Sequence, residues 1–387
     1  MRDETKAVYN GEFNDKFNSI ISPIYLSTVY KYIDEETSTK SDRNITIKYY
    51  REENPTLREL ERKIALLENT QDSLAFASGM AAISTLGLGL LKKDSKVLLL
   101  KEMYGSTLQF FDEIARKFNI KIIKVMPDAE SIANALESNN IDLAIIETIT
   151  NPTLKVIDLT KLENTIKRSN VLFIADNTFA SSILLKPAKY GFNIIVHSST
   201  KYISGHNDTM GGILASNKQT IEELWEWRRL LGNAQQPFEA FLTIRGIKTL
   251  PIRIKQQSNN AKAIAEFLKD NSKISNVYYP GLKDNPSHNI AKKIFEMQYY
   301  SGVLSFELKS NLNETKKFLS NLKIIKPSPS LGGTESLATL PAITAARYIN
   351  EEDKKSLGIS EKLIRLSVGL EDAEDLIDDL SQALSKI

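Results

Sequence analysis

The chain has 387 residues, enough for two sizeable cores, and its 42% hydrophobic and 25% charged content is ordinary for a soluble globular protein. With 50 basic against 48 acidic residues the net charge is +2, which gives no reason to invoke nucleic acid or an anionic membrane as a partner. The absence of cysteine excludes disulfides, thiolate metal sites and a cysteine nucleophile, and only three histidines argue against a histidine-rich metal site, so no metal is expected.

The first residues, MRDETKAVYNGEF, are charged and lack the apolar stretch of a signal peptide. The most apolar stretch, 81–91, is too short to span a bilayer. A cytoplasmic protein is expected. Residues 1–50 read as an irregular, extended arm with scattered apolar side chains, Pro23 and a polar stretch at 34–44. Such an arm cannot bury much against itself and is expected to lie on another part of the protein or on a partner subunit.

A helix is predicted from Asn54-Pro-Thr, capped by Thr56, with Leu57, Leu60, Ile64 and Leu67 at helical spacing. A short strand at 73–77 leads into Ser78-Gly79-Met80, which opens a second helix through 91. Strands at 97–100, 121–125, 143–147 and 171–175 alternate with helices at 107–118, 129–137 and 159–169. Strands at 194–196 and 212–215 follow. Short apolar runs separated by helices predict an α/β unit with a mostly parallel sheet buried on both faces. In such a sheet ligands sit beyond the carboxyl ends of the strands.

Helices are predicted at 220–231 and 238–272, the second broken near 246–251. The pattern changes there, with a long amphipathic helix at 254–268 and a strand at 277–279. A hairpin-like region follows, with strands at 303–308, 324–326 and 363–367 and helices at 313–322 and 372–385. The expected organisation is an arm at 1–50, a large domain at 51–250 and a smaller C-terminal α+β domain at 251–387.

Chemistry concentrates at the predicted strand ends. Asn193-Ile-Ile-Val is followed at once by Ser198, Ser199, Thr200, Lys201 and Tyr202. A lysine set among small hydroxyls suits an imine with a phosphorylated aldehyde; a surface lysine in a polar loop is the other reading. Ser78-Gly79-Met80, at a helix start, favours a phosphate, or is only a tight turn. Asp176, followed by Asn177 and Thr178, would hold a pyridinium proton, or cap a turn. It precedes Lys201 by about one strand–helix–strand crossover, which puts both on adjacent strand ends. Asn151 follows Glu147 in ETITNP, and Tyr104 follows another strand, where an aromatic ring stacks on a planar cofactor or is simply buried. Arg365 interrupts the strand LIRLS, as a carboxylate site or as a surface ion pair.

Together these stretches identify a family. The chain resembles the cystathionine γ-synthase-like, Cys/Met-metabolism enzymes that depend on pyridoxal 5′-phosphate and have fold type I, the aspartate aminotransferase-like transferase fold. The matching stretches are SPIYLST from Ser22, Tyr49-Tyr-Arg51 with Asn54-Pro-Thr, Ser78-Gly-Met-Ala-Ala and Tyr104-Gly. They continue with Asn151-Pro, Asp176-Asn-Thr-Phe, SSTKYISGH from Ser198, SLGGTESL from Ser330 and IRLSVGLE from Ile364.

The resemblance implies that Lys201 joins the cofactor aldehyde, Asp176 pairs with the pyridine nitrogen, and Tyr104 stacks on the ring and serves the leaving group as acid or base. Gly79, Met80, Ser198 and Thr200 hold the phosphate, with Thr178 also among the cofactor-binding residues. Tyr49 and Arg51 reach the phosphate of a neighbouring subunit, which implies a homodimer with shared sites, usually paired into a tetramer. Asn151, Ser330 and Arg365 take the α-carboxylate of an amino-acid substrate, and Glu335 matches a glutamate of several cystathionine enzymes. Freed Lys201 is the base for the α-proton and later the β-proton. Loss of the γ-substituent then leads to thiol addition, or to a 2-oxo acid and ammonia.

Some positions depart from the family pattern. Glu52-Glu53 replace Ser-Gly, Lys48 stands where some lyases carry glutamate, and Leu108-Gln109 fall where cystathionine-handling members often carry arginine. Ser106 is not the cysteine typical of methionine γ-lyases. The expected activity is that of a cystathionine γ-synthase or γ-lyase of transsulfuration, with methionine γ-lyase or O-acylhomoserine sulfhydrylase as alternatives. A catalytically idle binding protein of the same fold is disfavoured by the presence of Lys201 and Asp176.

Overall fold

The computed structural model describes residues 1–9, 18–31 and 47–387. Twelve strands form two sheets among these residues. The first contains β1 (Asp72–Phe76), β2 (Lys96–Leu100), β3 (Lys121–Val125), β4 (Leu143–Glu147), β5 (Leu172–Asp176), β6 (Ile194–His197) and β7 (Gly212–Ser216). Their order is β1-β7-β6-β5-β4-β2-β3. Only β7 runs against its neighbours; β6, β5, β4, β2 and β3 are parallel. All five residues of β4 are buried, as they must be where helices cover both faces.

The second sheet holds β8 (Ile274–Tyr278), β9 (Val303–Leu308), β10 (Lys326–Pro327), β11 (Leu337–Thr339) and β12 (Leu363–Ser367), in the order β10-β11-β12-β9-β8. It is antiparallel apart from the short β10–β11 pair. Helix Leu250–Lys269 runs from the region of the first sheet to that of the second, and its apolar face, including Ile254, Ala261, Ile264 and Leu268, is fully buried.

Several expectations are corrected. Helix Pro55–Glu68 is capped by Asn54, whose Oδ1 accepts the N–H groups of Thr56 and Leu57. Pro55 takes the first helical position, which places Thr56 inside the helix, and its hydroxyl instead accepts the Tyr25 N–H at 3.0 Å. The predicted strand at 324–326 is reduced to Lys326–Pro327 because the backbone N–H groups of Lys323, Ile324 and Ile325 all donate to Asp379, at 2.8 to 3.0 Å. β8 and β9 pair as the hairpin-like reading requires, but their connection contains helix His288–Ile294. Helix Glu351–Leu357 and strand β11 lie in a stretch without strong periodicity and were not foreseen.

The start of the arm is not irregular. Asp3–Val8 is a helix, with Ala7 buried, Lys6 bonded to Asn69 at 2.7 Å and Asp3 bonded to buried Lys186 at 3.1 Å. Residues 18–31 have no helix, and they expose Ile20, Leu26 and Val29. The polar stretch at 34–44 lies outside the described residues. Among the described residues no helix is long and apolar enough to cross a membrane, and no cluster of potential metal ligands occurs.

Candidate active site

The strand ends converge on one cavity of about 700 Å³. β5 and β6 are parallel neighbours with Asp176 opposite Val196, and β4 is next to β5 with Glu147 opposite Asp176. Asp176, Glu147 and the turn after His197 therefore open on the same edge of the sheet. Gly79, Met80, Tyr104, Asn151, Asp176, Thr178, Ser198, Thr200, Lys201, Ser330 and Arg365 all line the cavity.

The phosphate end is built by close backbone approach. Ser78 caps helix Gly79–Leu90 by accepting the Ala81 N–H at 3.0 Å, so the Gly79 and Met80 N–H groups lie ahead of the helix's own hydrogen-bond ladder. A Cβ on Gly79 would stand 2.9 Å from Ser198 Cβ, so glycine is what allows the helix start and the Ser198 turn to meet. Thr200 is held by Gly211: its hydroxyl accepts the Gly211 N–H at 3.0 Å and donates to the Gly211 carbonyl at 3.2 Å.

Thr178 ties the two adjacent strand ends together. Its hydroxyl donates to Asp176 Oδ1 at 2.6 Å and accepts the Ser198 N–H at 2.9 Å. Its own N–H also reaches Asp176 Oδ1, at 3.1 Å. Burial pushes the Asp176 carboxyl up, while the Thr178 bonds and the neighbouring His197 oppose this. His197 is itself buried and bonded to Glu68 at 2.5 Å. Neither residue was singled out in the sequence, because a histidine inside an apolar strand carries no local signal of its partner.

Glu147 is a further buried group that the sequence reading left without a role. Its Oε1 accepts the Tyr104 N–H at 2.6 Å. Burial, together with the charge of Asp176, holds it well above the usual carboxylate range.

At the other end, Lys201 Nζ donates to Ser330 Oγ at 3.0 Å. Burial and the nearby Arg365 charge bring the amine down to about 8. Arg365 is only 2% exposed, although a surface ion pair was one reading of it. It sits on β12, between Thr339 of β11 and Ser305 of β9. Its guanidinium donates to Asn151 Oδ1 at 3.0 Å, to the Ser330 carbonyl at 3.2 Å and to the Pro329 carbonyl. The buried Nε has no partner among the described residues. A buried guanidinium with a spare donor, beside a weakly basic amine, suits the α-carboxylate and α-proton of an amino acid.

Three expected residues lie elsewhere in the single chain. Glu335 is exposed outside the cavity and accepts the Asn207 amide at 2.7 Å. Tyr49 and Arg51 are also outside it, with the Arg51 guanidinium 5.3 Å from the Tyr49 ring centre. Their segment is fixed from behind. Tyr50 bonds the Gln235 carbonyl, and Trp225 and Arg228 donate to the Glu52 carbonyl at 2.9 and 3.1 Å.

A mostly parallel sheet, a lysine just past one strand end, a carboxylate closing the next strand and a helix N-terminus opposite them define a pyridoxal-phosphate enzyme of fold type I. The donor set fits that cofactor: an anion cradle that a Cβ at Gly79 would obstruct, a buried carboxyl for a pyridine nitrogen, and an amine lowered to about 8 for an aldehyde.

A family model described as Cys/Met metabolism PLP-dependent enzyme matches residues 4–385, and the chain belongs to that family. Its cofactor is pyridoxal 5′-phosphate. The chain is 36% identical to a cystathionine β-lyase of Coxiella burnetii, covering 98% of this chain and 97% of the relative. It is 37% identical to a cystathionine γ-lyase of Saccharomyces cerevisiae, covering 99% and 97%. A crystal structure of cystathionine γ-synthase from Xanthomonas oryzae in complex with cystathionine superposes with a TM-score of 0.92 at 32% identity, with full coverage of both chains.

Proposed function

We propose that this enzyme breaks the carbon–sulfur bond at the γ-carbon of cystathionine. The arrangement of Arg365 beside Lys201 carries the reading, because it places a carboxylate site within reach of a base. The similarity to cystathionine lyases over nearly the whole chain supports the cleavage direction. A second reading, γ-replacement on an activated homoserine, is favoured by the full-length likeness to a γ-synthase.

Gly79, Met80, Ser198 and Thr200 would hold the cofactor phosphate, Asp176, positioned by Thr178, its ring nitrogen, and Tyr104 its ring face. When bound, the cofactor supplies an electron sink for charge developing at the α-carbon. Arg365 and Asn151 grip the α-carboxylate and fix the direction of the Cα–H bond. Lys201, neutral above about pH 8, takes the α-proton and, once it has given that proton up, takes the β-proton, and Ser330 orients its amine. The Tyr104 hydroxyl, at the cavity mouth, hands a proton to the departing sulfur. Ile149, Phe179 and Val196 form apolar walls that limit water around the reacting carbons.

The same reading makes the assembly a homodimer with shared sites, paired into a tetramer in the cytoplasm. In it, helix Asp3–Val8 stays on its own chain, while Tyr49 and Arg51 serve the partner's phosphate site. Placement of both outside their own chain's cavity supports this.

Incubation of holoenzyme with cystathionine tests the activity. Cysteine, 2-oxobutanoate and ammonia are the expected products. Homocysteine with pyruvate would replace γ-cleavage by β-cleavage, and cystathionine formed from an activated homoserine and cysteine would favour the second reading. Light scattering of wild type and Arg51→Ala, alongside cofactor retention, tests the shared site; unchanged retention argues against it.

A further inference from the structure

Three cations line the cavity among the described residues: Lys201, Arg365 and Arg347. On the reading above, Lys201 belongs to the cofactor and Arg365 to the α-carboxylate. Arg347 is left without a role. It is exposed at the mouth, whereas Arg365 is buried at the floor.

Arg347 is not a loosely held surface residue. It belongs to a compact segment that continues from β11. In it, Ile343 donates to the Leu340 carbonyl, Thr344 and Ala346 to that of Pro341, and Arg347 to that of Thr344, at 2.9 to 3.3 Å. The Gly105 N–H donates to the Ala345 carbonyl at 3.1 Å, which locks the segment to the turn that carries Tyr104. A Cβ on Gly105 would lie 2.7 Å from that carbonyl oxygen, so the contact is close. The guanidinium rests over the Tyr348 ring, 5.0 Å from its centre, which orients it without neutralising it. No carboxylate among the described residues pairs with it.

We infer that Arg347 is a specificity residue that binds a carboxylate at the far end of the substrate, so that the site selects long amino acids with an anion at each end. The inference rests on the assignment of Arg365 to the α-carboxylate. Of the two positions where an arginine or other charge was expected, neither supplies a cation to this chain's own cavity. Gln109 is uncharged, and Lys48 does not line the single chain's cavity. A distal carboxylate arriving from solvent would meet Arg347 first, and the planar guanidinium suits two-pronged recognition. Substrates that end in a methyl group would gain nothing from it.

The test uses two non-cleavable amino acids of equal length, L-2-aminosuberate, which has a distal carboxylate, and L-2-aminooctanoate, which ends in a methyl group. Holoenzyme is titrated with each, and the change in cofactor absorption gives an affinity. Wild type should prefer aminosuberate. Arg347→Gln should weaken aminosuberate by roughly three- to tenfold, with aminooctanoate moving much less, and Arg347→Lys should recover part of the preference. Equal weakening of both ligands, or no change in either, overturns the inference. If wild type responds to neither ligand, the amino-acid reading fails and takes the inference with it.

Discussion

Lys201 and Ser330 lie 129 positions apart, in different sheets' neighbourhoods, and meet through a hydrogen bond of 3.0 Å. Burial at that meeting point and the Arg365 charge close behind it set the properties of the amine. Burial and a neighbouring positive charge both disfavour the protonated form, and together they bring it to about 8 from an ordinary value of 10.5.

The pH dependence follows with its sign. Capture of pyridoxal phosphate by the cofactor-free protein needs a neutral Lys201. The rate should therefore rise with pH and level off above about 8, as read by the growth of the visible absorption band. Arg365→Gln removes one of the two causes, so its midpoint should move upward. A wild-type midpoint near 10.5 would show that the amine is not perturbed. Lys201→Ala should abolish both capture and turnover.

Thr178→Val should weaken cofactor binding by roughly tenfold or more, the scale of losing hydrogen bonds to a charged group. It removes the hydroxyl that donates to Asp176 and accepts from Ser198, and the Asp176 carboxyl should shift further upward. Fluorescence titration with pyridoxal phosphate checks this. Thr178→Ser keeps the hydroxyl and should behave as wild type; if it is as impaired as valine, the bridge is not what matters.

Gly79→Ala should reduce cofactor affinity while leaving the fold intact. The added methyl group must displace Ser198, whose Cβ lies 2.9 Å away, and this opens the phosphate cradle from both sides. Circular dichroism and the same titration separate folding from binding. Unaltered affinity would mean that the two backbones need not approach so closely.

Arg228→Met should destabilise the protein by about 3 kcal/mol, because breaking a buried ion pair leaves charge behind in a dry environment. Arg228 is fully buried and bonds Glu61 at 2.6 Å, with Glu53 at 3.7 Å. Glu53, one of the two departures from the family pattern, is only 1% exposed, and its acidity is tolerated because Arg228 and Arg58, the latter 3.9 Å away, stand beside it. A lowered thermal midpoint in holoenzyme is expected. Because Arg228 also holds the Glu52 carbonyl, cofactor retention should fall as well if Arg51 serves a partner subunit.

Much of this protein was legible from the chain alone. Period-two and continuous apolar runs placed the strands of the first sheet and most of the second, since burial on both faces demands uninterrupted Val, Ile and Leu; β3, β4, β9 and β12 fall where they were expected. Motif chemistry picked out Lys201, Asp176, Asn151 and Arg365, because a charged or amide group within or just after an apolar run stands out locally. The failures have a physical cause as well. Asp379 takes three backbone N–H groups away from a predicted strand, and Asn54 displaces Thr56 as cap because Pro55 fixes the first helical turn. Only the folded chain brings Ser330 to Lys201, buries Arg365 with a spare donor, sets Glu147 beside Asp176 and leaves Arg347 alone at the mouth. Those are relationships between residues distant in sequence, and protonation, burial and pairing depend on what surrounds a group rather than on what precedes it in the chain.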